Sequence, residues 1–165
     1  MIAVDTGILA LALNRWAPEH ARASRLVEGL ANGEAPWAVT WPALHELVGR
    51  VTHRHDVARP LAPRDACGFV EELLASPSLR PLGPTARHAA VLRDVLESLG
   101  DEPPPPGFDS AVILREHGVR ELIGTDPGMR RFGFLIVIDP FRGEGWRPEQ
   151  PPARRYRRLT MRGAR

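Results

Sequence analysis

The chain has no lysine, a single cysteine and no long apolar run, and each shortage excludes something. One cysteine, Cys67, cannot close an intramolecular disulfide. Set among helix-forming residues, it is expected as an inert, buried side chain. No apolar stretch is long enough to span a bilayer. No basic segment precedes the apolar N-terminus, as a secretory signal would require. The expectation is a cytoplasmic protein with no membrane partner. Neither a P-loop nor a Gly-x-Gly-x-x-Gly run is present, which argues against a bound nucleotide or dinucleotide. The cluster His53-Arg54-His55-Asp56 has no further ligands at zinc-like spacing and reads as a solvated helix end. His45-Glu46 is no metalloprotease signature, because Gly49 stands where the second histidine belongs.

What is present fits one domain with a sizeable core: 165 residues of ordinary apolar content. All 22 basic residues are arginine, which together with abundant Ala, Gly and Pro reflects a GC-rich genome rather than a special function. The formal charge of +2 is unevenly spread. From Arg142 onward eight arginines face only Glu144 and Glu149, so the tail carries +6 and the preceding part about −4. The body of the chain therefore has no global attraction for phosphate. A local acidic cluster there would need metal cations before it could approach nucleic acid. Residues 142–165 lack the apolar content to fold alone and are expected to be a disordered, basic tail.

Strand-like and helix-like segments alternate along residues 1–141. Strands are predicted at Met1 to Val4, Pro36 to Thr40, Leu79 to Leu82, Glu121 to Thr125 and Leu135 to Ile138. Helices are predicted at Ile8 to Asn14, His20 to Leu30, Trp41 to Val51, Arg64 to Ala75, His88 to Leu99 and Phe108 to His117. Met129 to Phe132 is expected as a helical turn. Pro63 suits a first helical turn, and the prolines within Asp101 to Gly107 exclude regular structure there. This alternation predicts an α/β fold, a central parallel sheet flanked by helices on both faces. Trp37 and Trp41, flanking the second strand, are expected to pack in the core.

Four acids occupy telling places in that scheme. Asp5 ends the first strand, where ligands of open α/β sheets collect; equally, it could simply cap the next helix. Glu46 lies at the edge of an apolar helix face. Asp109 begins the helix after the proline loop, and Asp126 follows the fourth strand. Taken singly, each has an ordinary structural explanation. Taken jointly, two strand ends, a helix start and a helix face can converge on one cleft. Clustered carboxylates raise each other's pKa unless a counter-charge is supplied. Mg²⁺ or Mn²⁺ supplies it through oxygen ligands and can promote phosphodiester cleavage.

The segments Val4-Asp5-Thr6-Gly7-Ile8-Leu9, Thr40 to Leu47, Asp109 to Val119, Gly124 to Phe132 and Val137 to Phe141 come in an order that resembles the PIN-domain nucleases. The likeness is strongest to the VapC-type toxins of VapBC toxin–antitoxin pairs. The resemblance implies a PIN-like domain over residues 1–141 and a metal-dependent endoribonuclease. Asp5, Glu46, Asp109 and Asp126 would hold Mg²⁺ or Mn²⁺, with Asp5 the central ligand. Thr6 and Thr125 would orient carboxylates or metal-bound water. It also implies an RNA substrate, a homodimer and a cognate antitoxin protein, whose segment would lie against exposed apolar residues of the helices between Ile8 and Leu30. Two positions depart from the family pattern. Gly107 stands where the third acid is usual, and Gly128-Met129 replace a further acid and an aromatic. The alternative reading is a catalytically weakened PIN-like domain that binds RNA or protein.

Overall fold

The structure, a computed structural model, describes residues 1–57 and 59–142. The expected basic tail thus lies outside the described residues, apart from Arg142. Five parallel strands form one sheet: β1 (Ile2–Val4), β2 (Trp37–Thr40), β3 (Leu79–Leu82), β4 (Glu121–Ile123) and β5 (Ile136–Ile138), in the order β3-β2-β1-β4-β5. Between them run α1 (Thr6–Leu13), α2 (His20–Asn32), α3 (Trp41–Thr52), α4 (Pro63–Leu74), α5 (His88–Leu99) and α6 (Phe108–Glu116), with a 3₁₀ turn at Pro127–Arg131. Among the described residues no helix is long and apolar enough to cross a membrane.

Side chains alternate across a strand, so each strand serves two cores. Val4, Trp37, Val39, Leu79 and Ile123 pack with α1, α2, α3 and α4. Ala3, Ala38, Leu82 and Leu122 pack with α5, α6 and the 3₁₀ turn. A strand buried on both sides reads as a continuous apolar run, which is why Ile2-Ala3-Val4 and Trp37 to Thr40 were legible as strands. The first of these layers is also tied at polar points. Trp37 Nε1 donates to Ser78 Oγ at 3.2 Å, and Ser78 Oγ donates to the Leu30 carbonyl at 3.0 Å, fastening the end of α2 to the sheet.

The strand order has one functional consequence. From β1 the chain winds outward through β2 to β3, then returns to β4 on the other side of β1. The reversal leaves a crevice at the carboxyl ends of β1 and β4, the place where open parallel sheets bind ligands.

Several expectations change in detail. α2 runs to Asn32 rather than Leu30, its Asn32 Nδ2 bonding back to the Glu28 carbonyl at 2.8 Å. β4 ends at Ile123, two residues early, because Gly124 and Thr125 leave the strand to meet Asp5. Cys67 is exposed. The buried stripe of α4 is Ala66, Phe69 and Leu73, at helical spacing, and Cys67 falls outside it. Trp37 is fully buried, but Trp41 is 39% exposed and lies against the His45 ring with centroids 5.9 Å apart. The apolar residues between Ile8 and Leu30 mostly enter the core: Ile8, Leu9, Leu13, Val27 and Leu30 are buried. Leu11 and Leu26 are only half-buried, and Trp16 is exposed beneath the Arg59 guanidinium.

Across the back layer, the Glu116 side chain is inaccessible to solvent at the end of α6. It accepts the Thr85 amide at 2.7 Å and bonds His88 Nδ1, joining the end of α6 to the start of α5. Burial alone would push the Glu116 carboxyl up, but its bonds to Thr85 and His88 outweigh that and hold it below the ordinary 4.5. A carboxyl whose pKa is lowered by folding contributes stability above its unfolded pKa, and that contribution is lost as pH falls through the lower, folded value. In thermal melts taken from neutral pH into acid, the wild type should therefore lose stability below about pH 4.5 more steeply than Glu116→Gln. Parallel curves for the two proteins would remove this link from the acid sensitivity of the fold.

Candidate active site

Asp5 stands in the only residue-wide gap between β1 and α1, so one side chain serves strand end and helix start together. Its backbone N–H extends the sheet ladder to the Ile123 carbonyl at 3.0 Å. Its Oδ1 accepts the Ile8 amide at 2.8 Å, the N-cap bond, worth about 1 kcal/mol. Its Oδ2 accepts the Thr125 amide, across the crevice, at 3.1 Å. The two readings of Asp5 are therefore not exclusive: one oxygen caps α1, while the other reaches the end of β4. Burial pushes this carboxyl up from 3.8 to about 6; the amides of Ile8, Thr125 and Asp126 draw it down, and the Asp126 charge raises it further.

Two glycines make this approach possible. A Cβ on Gly124 would lie 2.3 Å from Asp5 Oδ2, and one on Gly7 would lie 2.9 Å from Thr125 Oγ1 and 3.2 Å from Asp5 Oδ1. Both glycines are needed for close packing around a carboxylate that its two amide bonds prevent from swinging away. Their signal in the sequence is position alone: each sits within two residues of an acid at a strand end.

The rest of the crevice, a cavity of about 290 Å³, is built from α3, α6 and the 3₁₀ turn. Thr6, buried on α1, has its hydroxyl 2.9 Å from Glu46 Oε2 and 3.2 Å from the Ala43 carbonyl. This holds the otherwise exposed Glu46 against the cavity. Thr40 caps α3 by accepting the Ala43 amide at 3.3 Å, and its hydroxyl is 2.7 Å from Ser110 Oγ. Asp126 caps the 3₁₀ turn, with Oδ1 accepting the Gly128 amide at 2.7 Å, and its second oxygen is left for the cavity.

Of the predicted site residues, Asp5, Thr6, Glu46, Thr125 and Asp126 line this cavity together. Asp109 does not. It is exposed and borders an adjoining hollow with Pro42, Glu46, Phe108 and the prolines 104–106. The reason is helical phase. Gly107, Ser110 and Leu114 form one stripe of α6 facing the cavity, and Asp109 is rotated about 100° from Ser110. Nor can Gly107 simply be read as an acid position left empty. It has φ +80°, and a Cβ there would lie 2.8 Å from Met129 Sδ. Met129 thus fills the space that a side chain at position 107 would need. Glu102 does not reach the cavity either; it pairs with Arg131 at 2.6 Å on the surface. Among the described residues no three of the His, Cys, Asp and Glu side chains form a ready-made metal cage. Ser110, Met129 and Arg50 line the cavity without having been expected there.

The donors that do converge are all oxygens, from carboxylates and hydroxyls, the chemistry suited to a hard cation rather than to a soft one. Fold and crevice together define an α/β protein with a PIN-like sheet and an acid-lined site at its switch point. No family model matches the chain. Ribonuclease VapC48 of Mycobacterium tuberculosis is 28% identical over 140 residues, covering 84% of this chain and 97% of that protein. Ribonuclease VapC33 of the same organism is 29% identical over 145 residues, 86% of this chain and 99% of that protein. Among solved structures, the Mycobacterium tuberculosis VapC20, a sarcin-ricin loop cleaving toxin, superposes with TM-score 0.58 at 22% identity, over 82% of this chain and 97% of that one. VapBC2 from Rickettsia felis, bound to a promoter DNA fragment, gives TM-score 0.57 at 16% identity, over 84% of this chain and 98% of that one. The chain is thus similar in sequence to VapC ribonucleases over most of its length, and its PIN-like α/β fold is that of the solved VapC structures.

Gly124→Ala isolates the packing around Asp5. The added methyl must displace a carboxylate held by two amides, so a loss of about 1–3 kcal/mol is expected in denaturant unfolding. Gly133→Ala, where a Cβ meets nothing within 4 Å, is the control. Equal stability of the two variants would mean that the Asp5 carboxylate is not held as described.

Proposed function

We propose that this chain is a VapC-type toxin that hydrolyses RNA phosphodiester bonds, acting as an endoribonuclease with Mg²⁺ or Mn²⁺. The observation that carries the reading is the half-buried Asp5 carboxylate at the sheet's switch point, lining one cavity with Asp126 and Glu46. The names of the VapC relatives support it. A divalent ion here would be held by Asp5 and Asp126, with Glu46 and water completing its shell, since Mg²⁺ commonly takes one or two carboxylates and keeps several waters. When bound, it supplies a Lewis acid that polarises the phosphate and makes water a better nucleophile.

The protein's own contribution is placement. Each Asp5 oxygen accepts a backbone amide, which fixes the carboxylate at the edge of the cavity. The Thr6 hydroxyl donates to Glu46 Oε2 and so orients the carboxylate toward the cavity, where it would complete the shell of the ion. Thr125 sets the cross-crevice bond by its amide rather than by its hydroxyl. The apolar wall of Leu114, Leu122 and Met129 keeps bulk water from one side of the site. We further propose a cognate antitoxin as partner, in keeping with the solved VapBC2 neighbour, and a homodimer.

The second reading, a weakened site in a binding module, has its own observation: the space beside Gly107 is taken by Met129, and Asp109 faces the adjoining hollow. One experiment separates the two. Cleavage of single-stranded RNA should require Mn²⁺ or Mg²⁺, stop with EDTA, vanish in Asp5→Asn and fall about a hundredfold in Asp126→Ala. Asp109→Ala should cleave nearly as well as the wild type. Equal background from wild type and Asp5→Asn would decide for the binding module. DNA of the same sequence, cut as fast as RNA, would decide for a general nuclease.

A further inference from the structure

An acid-lined crevice has to admit a polyanion, and the described residues that line it include one cation, Arg50. Arg50 lies in the last turn of α3, one helical turn beyond Glu46. A Glu and an Arg four residues apart on a helix commonly pair. Here they do not: Glu46 is turned toward Thr6, and Arg50 has no ion pair or hydrogen bond within the described residues. Its side chain is exposed at the mouth of the cavity. Two neighbouring arginines are engaged elsewhere. Arg131 is folded onto Glu102 and the Pro103 carbonyl, and Arg115 lies over the Phe134 ring.

From the crevice the surface continues along α3. Glu46, Ser110 and Gly107 are shared with the adjoining hollow, whose other wall is the rigid proline loop. That hollow has a volume of about 420 Å³ and bears Asp109 but no cation. Among the described residues the groove is therefore polarised: an exposed guanidinium at one end, an acidic and proline-lined end at the other, and the carboxylates between. A planar guanidinium suits a phosphate because it can donate two parallel hydrogen bonds to it.

We propose that Arg50 is the substrate-binding residue of this site, gripping an RNA backbone phosphate next to the one at the carboxylates and so setting the direction in which the strand lies along α3. The assignment rests on the ribonuclease reading above. Arg50 acts on binding and position, and the chemistry stays with the acids.

The test measures binding of a labelled single-stranded RNA of mixed sequence across a salt series in Mg²⁺, using Asp5→Asn protein as the non-cleaving parent. Adding Arg50→Ala should weaken binding about tenfold and lower the salt slope by about 0.7, the value for one phosphate contact on a single strand. Arg50→Lys should keep that slope, because the charge remains, while recovering only part of the affinity. Arg93→Ala, an exposed arginine on α5 away from the crevice, should match the parent. If Arg50→Ala binds with the parent's affinity and slope, the assignment falls and the acid site stands. If Arg50→Lys behaves as Arg50→Ala, charge at this position is not what holds the strand, and the assignment also falls. A parent that binds no RNA overturns both this assignment and the reading on which it rests.

Discussion

The site depends on one arrangement: a carboxylate half-buried at the end of a central strand and clamped by amides from two separate elements. Asp5 gives one oxygen to the first turn of α1 and the other to the loop after β4. Removing a charged group from water is costly, and the rise of its pKa to about 6 records that cost. The fold keeps the carboxylate there through aimed backbone N–H groups and through two glycines that stay out of its way. Those interactions bring β1 and β4 together at the crevice, and every other site residue is placed relative to that junction.

Around the junction, polar contacts divide the work. Thr6 ties α1 to α3 by way of Glu46, and Thr40 ties β2 to α6 by way of Ser110. The crevice walls thus belong to four elements that meet through hydroxyls rather than through opposed charges. Acids can be grouped in this way only if their repulsion is limited, and the spacing observed does that, since no three of them crowd together among the described residues. The arrangement suits a hydrated cation shared by few carboxylates better than a tight cage. Met129 beside Gly107 is the clearest departure from a more acidic crevice.

Much of this was legible in the residues. Doubly buried strands appear as short apolar runs, and β1, β2 and β3 were found at nearly their observed bounds. Asp5, Glu46 and Asp126 were legible because each interrupts or borders an apolar pattern that would otherwise need no charge. Asp109 misled for a definite reason. It has the right residue type at the right helix, but a helix advances about 100° per residue, and sequence spacing alone does not reveal its phase against a neighbour. Cys67 and Trp41 misled similarly: each sits one step outside a buried stripe that packing, not composition, defines.

By itself, then, the sequence determined the alternation of strands and helices, the parallel sheet, and the acids that end its strands, because hydrophobic period and capping chemistry are local properties. Tertiary structure alone decided which acids meet, that Gly7 and Gly124 must lack side chains, that Ser110 rather than Asp109 faces the crevice, and that Arg50 stands at its mouth without a partner among the described residues. Those facts depend on helix rotation and on distances of a few ångströms between residues far apart in the chain, and no local pattern encodes either.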